Sequence, residues 1–193
     1  MNKRLFVAMP LPREVKEALT WVQEKLKEDL NKKDIKWVEK KNLHQTMVFL
    51  GKVEEARIPE VKEIMERLAR QKVLNLTLTK LGFYPELRRA RIIWIGLGGE
   101  DSKVSSYFHK LRLPLQMAKF EFDTRFSSHI TVGRVKKTKE WSMFSDRKIS
   151  LVQDFLRNNR ISFQTKKLVL YESKLTPTGP LYHPIFEVKL KKN

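Results

Sequence analysis

Two stretches of strand-forming sequence begin alike. HQTMVFLG (His44 to Gly51) and HITVGR (His129 to Arg134) each open on a histidine with a threonine two residues later. In the first, Val48 and Leu50 account for the strand; His44 and Thr46 are not needed to form it. The elements around these motifs also repeat. A helix, an HxT strand, a helix and further strands occur twice, with the two histidines 85 residues apart. This points to an internal duplication rather than a short-period solenoid. No low-complexity linker separates the halves, so residues 1–193 are expected to form a single compact domain of two pseudo-symmetric lobes, each contributing one HxT strand.

The remaining elements follow from periodicity. RLFVAM is the first strand. Pro10 and Pro12 open a helix with Val15, Leu19, Val22, Leu26 and Leu30 on one face. A second helix follows Pro59, with Val61, Met65 and Leu68 inward. VLNLTLTKLGFY and RIIWIGLGG alternate as strands around a basic turn. A third helix carries Val104, Tyr107, Phe108, Leu111 and Leu115, and a fourth spans about Ser145 to Asn158. ISFQTKKLVLYESKL and YHPIFEVKL read as two closing strands about the turn TPTGP. Short strand-to-strand turns mixed with helices predict an α+β fold with antiparallel or mixed sheets, not a doubly wound parallel one.

Composition narrows the partners. Forty Lys and Arg against 22 Asp and Glu leave +18, which points to a polyanion, above all nucleic acid. A thermophile-style surface would balance the two signs. There is no cysteine, which removes disulfides, thiolate nucleophiles and thiolate-zinc sites, and fits a cytoplasmic protein. No stretch is long enough to span a membrane, and the N-terminal apolar run is too short for a signal peptide.

Residues i and i+2 of a strand share a face. His44 and Thr46 therefore point together, as do His129 and Thr131. If the lobes face each other, all four converge. Two imidazoles can act as one general acid and one general base near neutral pH. A threonine hydroxyl can donate to a phosphate oxygen or orient an imidazole. One HxT alone is weak evidence, since most such histidines are merely hydrogen-bonded. Two copies in similar surroundings are stronger, and they account for two of only four histidines. Zinc wants three or four protein ligands, and no Asp, Glu or Cys shares the face, so no metal is expected. No serine elbow appears either.

These residues resemble the 2H phosphoesterase superfamily, and more closely its RNA 2′,3′-cyclic phosphodiesterases, also called 2′-5′ RNA ligases (LigT/ThpR type). The resemblance rests on RLFVAMPLP, WVEKKNLHQTMVFLG, LTKLGFYPELRRARIIWIGL, FSSHITVGRVK and LYESKLTPTGPLYHPIFEVKL, almost the whole chain. Gln45, Met47, Val132 and Gly133 depart from the usual family residues, away from the catalytic positions. The resemblance implies a bilobal fold with a central cleft and helices outside. It implies opening of a terminal RNA 2′,3′-cyclic phosphate to a 2′-phosphate without metal or cofactor. Reversal, with an RNA 5′-hydroxyl attacking, would give a 2′-5′ linkage. His129 is assigned as base for the water and His44 as acid for the leaving O3′, with Thr46 and Thr131 donating to the non-bridging oxygens. The substrate would be an RNA end such as that of a tRNA fragment, and the protein a monomer.

Arg134 is a candidate phosphate clamp on the family pattern. Strict alternation puts it on the face opposite His129, unless Gly133 allows a bulge. Phe49, five residues after His44, also falls on the wrong face; it is a candidate base-stacking residue only if the strand twists. Tyr182 is a second candidate nucleotide contact. Arg88, Arg89 and Arg91 in one turn, and Lys136, Lys137 and Lys139 in another, are candidate RNA-backbone contacts or simply solvated faces. His109 and His183 receive no catalytic role. Two other readings stay open: a phosphodiesterase for small cyclic nucleotides or an ADP-ribose cyclic phosphate, and a non-catalytic RNA or nucleotide-binding module.

Overall fold

The computed structural model describes residues 1–28, 34–136, 144–177 and 179–192. Leu30, Lys137 and Lys139 lie outside the described residues, as does Thr178 of the TPTGP turn.

In chain order the elements are β1 (Asn2–Pro10), α1 (Arg13–Lys27), β2 (Ile35–Trp37), β3 (His44–Glu54), α2 (Ile58–Glu66), β4 (Leu74–Tyr84) and β5 (Ile92–Gly99). Then come α3 (Asp101–Met117), β6 (His129–Val135), α4 (Asp146–Asn159), β7 (Ser162–Thr165), β8 (Lys167–Thr176) and β9 (Gly179–Lys189). The fold is α+β. The strands form one sheet in the order β7-β4-β5-β6-β3-β1-β8-β9, with the short β2 added to β6. Among the described residues every pairing of these strands is antiparallel. The sheet curls. Past the end of β9, Val73 N–H donates to Lys191 O and Lys191 N–H to Gln71 O, which ties the far edge back to the start of β4.

The strand order divides in the middle. β6, β5, β4 and β7 make one run of four strands; β3, β1, β8 and β9 make the other. The two HxT strands are the innermost of each run, and Gln45 of β3 pairs with Ile130 of β6 across the seam. Helix α1 packs on β6 and α4 on β4, with Trp21 and Phe155 stacked 3.9 Å apart between the two helices. Helices α2 and α3 also pack together, against β9 and β3. The apolar faces expected of α1 and α3 are those buried: Val15, Leu19, Val22 and Leu26, and Val104, Tyr107, Phe108, Leu111 and Leu115. Each buried Leu, Val or Phe side chain contributes about 1.5–3 kcal/mol.

Two sequence expectations change. ISFQTKKLVLYESKL is not one strand. It breaks at Lys166 into β7, on the outer edge of one run, and β8, beside β1 in the other. Lys166 O accepts from Leu190 N–H rather than from a ladder neighbour. An apolar run carries no mark of which sheet neighbour it meets, so this crossover is invisible in sequence. The second helix also ends sooner, at Glu66, and Leu68 is buried in a following 3₁₀ turn, Arg67–Arg70.

One buried side chain fixes the middle of the sheet. Gln23 of α1 is 3% exposed, and its amide donates to both Val38 O and Val132 O at 2.8 Å. Val132 O has a second donor, Val38 N–H. Gln23→Leu would strip Val38 O of its Gln23 bond and is expected to cost about 1–3 kcal/mol in denaturant unfolding. A change within a few tenths of a kcal/mol would show that these carbonyls do not depend on Gln23.

Candidate active site

Gln45 and Ile130 are 1% and 0% exposed, so the seam pair faces the core. Their strand neighbours therefore face the other way. His44, Thr46, His129 and Thr131 all lie on that second face. Because the pairing is antiparallel, Thr46 falls on the His129 side and His44 on the Thr131 side.

Both rings are held by the same device. His44 Nδ1 lies 2.7 Å from Asn42 O, and His129 Nδ1 lies 2.8 Å from Ser127 O. A carbonyl can only accept, so each Nδ1 carries the hydrogen and each neutral ring presents an Nε2 lone pair. His44 Nε2 accepts from the Thr46 hydroxyl at 2.9 Å. Asn42 is itself anchored, its Nδ2 donating to Pro180 O at 2.9 Å. That bond reaches from two residues before the first motif to the TPTGP tail.

Aromatic rings wall each histidine. Phe6 and Tyr182 lie against His44, at 5.0 and 5.5 Å between centroids. Tyr84 and Trp94 lie against His129, at 5.4 and 6.1 Å. Trp94 reaches that position over Gly82, where a Cβ would stand 2.1 Å from its ring. This packing removes water from both imidazoles. Burial pushes His44 down to about 4 from an ordinary 6.5, with the charges of Lys16 and Arg134 adding to the effect against a bond to Asn42 O that opposes it. His129 is lowered for the same chief reason, with Arg134 again contributing.

The expectation for Arg134 and Phe49 from strict alternation is corrected by two bulges. On β6 the register runs from Ile93–Gly133 to Trp94–Thr131, so Val132 is an extra residue. Val132 and Gly133 both turn inward, and Arg134 returns to the face of His129 and Thr131. Gly133 fits because even a Cβ there would meet Ile35, Ile93 and Trp37 at 3.2 Å. On β3 the register runs from Val7–Val48 to Ala8–Thr46, so Met47 is the extra residue. Met47 and Val48 are buried, and Phe49 is 42% exposed on the cleft face. Each strand thus shows the residue five positions after its histidine.

A cavity of about 530 Å³ collects part of this set, without His129 and Thr131 in its lining. His44, Thr46, Phe49, Arg134 and Tyr182 line it. Sequence reasoning missed several further members. Arg4, Lys36 and Trp37 also line it, and the Arg4 guanidinium stands 4.8 Å from the Phe49 ring centre. Phe6, Tyr84 and Trp94 had read as ordinary strand residues. The turn of Arg88, Arg89 and Arg91 is exposed and follows Tyr84 directly, with Arg89 3.8 Å from Glu86. Lys136 donates its backbone N–H to Asp34 O. His183 is exposed and lines a smaller pocket behind His44. Among the described residues no group of three or more His, Cys, Asp or Glu could hold a metal ion, and no helix is long and apolar enough to cross a membrane.

Residues 9–94 match the family profile described as LigT like Phosphoesterase. The RNA 2′,3′-cyclic phosphodiesterase of Methanocaldococcus jannaschii is 33% identical over 184 residues, covering 95% of this chain and 99% of that protein. The chain belongs to the LigT-like phosphoesterase family. The LigT-like fold is seen in TT0787 of Thermus thermophilus, with a TM-score of 0.78 at 25% identity over 97% of both chains. E. coli LigT complexed with 3′-AMP superposes with a TM-score of 0.76 at 23% identity, over 98% of this chain and 99% of that one, a likeness of fold.

Proposed function

We propose that this LigT-like phosphoesterase is an RNA 2′,3′-cyclic phosphodiesterase, opening a terminal cyclic phosphate to a 2′-phosphate by two-histidine acid/base catalysis. The observation that carries the reading is the seam: two HxT motifs on adjacent strands, each ring fixed through Nδ1 and presenting Nε2 to the same face. The relatives' shared name, RNA 2′,3′-cyclic phosphodiesterase, supports it.

In this mechanism His129 Nε2 takes a proton from water as the water oxygen attacks phosphorus. The P–O3′ bond breaks, and His44 gives its Nε2 proton to O3′. Thr46, Thr131 and Arg134 donate to the non-bridging oxygens, where charge grows. Phe49 and Tyr182 offer faces for the base. The exposed arginine turn adds positive charge for RNA backbone beyond the terminal nucleotide. Two imidazoles supply both proton transfers, so no metal is needed. Attack by an RNA 5′-hydroxyl in place of water would run the same site as a 2′-5′ ligase. We also infer a cytoplasmic monomer acting on RNA ends such as those of tRNA fragments, built as one unit of two pseudo-symmetric lobes. The cysteine-free composition, the charge of +18 and the two four-strand runs support these points.

The deciding assay uses EDTA-treated protein and an RNA ending in a 2′,3′-cyclic phosphate. A 2′-phosphate product is expected. A 3′-phosphate would reverse the leaving group, and no product would favour a binding module.

Burial also fixes the pH dependence. The reactive state carries one proton between the two rings. With His44 pushed down to about 4 and His129 also lowered from its ordinary value by burial, that state lies on the acid side of pH 6.5 in the free protein. kcat/KM should therefore peak on the acid side of pH 6.5 and fall as pH rises through neutrality. A bound phosphate anion raises both rings, so the optimum of kcat should lie at higher pH than that of kcat/KM. A kcat/KM optimum above pH 7 would contradict this account.

A further inference from the structure

His44 stands in a wall between two cavities. The smaller, about 190 Å³, lies behind the ring and shares Asn42, His44 and Tyr182 with the larger. Three basic side chains with no part in the chemistry above line it: Lys16, Lys41 and His183. Lys41 is paired with Glu39 at 3.0 Å. Lys16 is in a different position. It is partly buried, and its ammonium donates to Lys41 O at 3.1 Å. Among the described residues no carboxylate pairs with it. An ammonium has three donors, so two remain for a ligand. A cation held partly out of water without a counter-ion is costly, and an anion in the pocket would offset that cost. Burial and the neighbouring Lys40 charge push its pKa down, in keeping with this placement.

Ribose connectivity identifies the anion. With O3′ against His44, C3′ leads through C4′ and C5′ to O5′. The O2′ side leads instead through C1′ to the base. The 5′ side of the terminal nucleotide therefore runs past His44, and the base stays in the larger cavity. We propose that the smaller pocket binds the 5′-phosphate of the terminal nucleotide, through Lys16 first and His183 second. The pocket would select RNA ends over nucleoside cyclic phosphates that lack this group. A phosphate there would also offset the Lys16 charge felt by His44 and so favour its protonated form. The inference rests on the two-histidine reading with His44 as acid.

The test compares adenosine 2′,3′-cyclic phosphate with its 5′-phosphorylated form, each variant's activity on the 5′-hydroxyl compound serving as its own reference. The wild-type protein should prefer the 5′-phosphorylated compound by roughly tenfold in kcat/KM. That ratio should fall to near one in Lys16→Met, stay high in Lys16→Arg and drop in part in His183→Gln. Equal kcat/KM for the two compounds in the wild type would overturn the proposal, as would an undiminished preference in Lys16→Met. Should Lys16→Met not fold, the wild-type ratio and His183→Gln still decide. Failure of the underlying reading looks different: the wild type would open neither compound.

Discussion

Replacing His44 or His129 with alanine is expected to cut cyclic-phosphate opening by on the order of 10²-fold or more. In the proposed mechanism each ring handles a separate proton: one leaves the attacking water, the other arrives at O3′. The groups in direct contact with the rings are aromatic faces and, at His44, the Thr46 hydroxyl, which are poor proton carriers near neutral pH. The two losses should not multiply. Once one transfer is gone the other ring has little left to do, so the double variant should be about as slow as the worse single one. Folding is checked separately, since both rings fill packed positions. His→Asn at each site keeps an amide near the Nδ1 position and should unfold close to the wild type while remaining slow. Near-normal turnover by both alanine variants would remove the two-histidine mechanism.

Arg134→Met should lower kcat/KM by on the order of 10- to 100-fold. A guanidinium donating to phosphate is worth about 1.5–3 kcal/mol as a charge-assisted bond. Its exposed side chain means that stability should change by no more than about 0.5 kcal/mol. Arg134→Lys should recover only part of the activity, because an ammonium lacks the planar fork. The loss should also shrink as salt rises, since added ions screen the wild-type attraction. If Arg134→Met matched the wild type at low salt, the bulge of β6 would be aiming a side chain of no consequence.

The parts of this molecule that were legible in sequence are those governed by local rules. The HxT strands, the amphipathic α1 and α3, and the α+β class all follow from period and residue type. His44, Thr46, His129 and Thr131 stood out because strand formation does not require them. Four features were hidden, each for its own physical reason. β2 has three residues, too few to show a period. The β7–β8 break depends on partners far along the chain. The walls of Phe6, Tyr84 and Trp94 read as core, since an aromatic in a strand has the same local signature whichever face it covers. The anchor from Asn42 to Pro180 joins residues 138 apart, and no local pattern records it.

The bulges were half visible. Gly133 hinted at one in β6, but Met47 and Val48 are ordinary strand residues and gave no sign in β3. Together they alter how such a strand should be read. In a flat ladder, the residues beside a histidine on one face would stand at offsets 0, 2 and 4. Here they stand at 0, 2 and 5: His44, Thr46 and Phe49 in one strand, His129, Thr131 and Arg134 in the other. The inserted residue gives each strand a longer reach along the cleft with no added strand. It also lets the third position differ between the halves, an aromatic ring in one and a guanidinium in the other. Two strands that begin alike have in this way come to frame a site with two unlike ends, as the proposed substrate, with a base at one side and a phosphate at the other, would require.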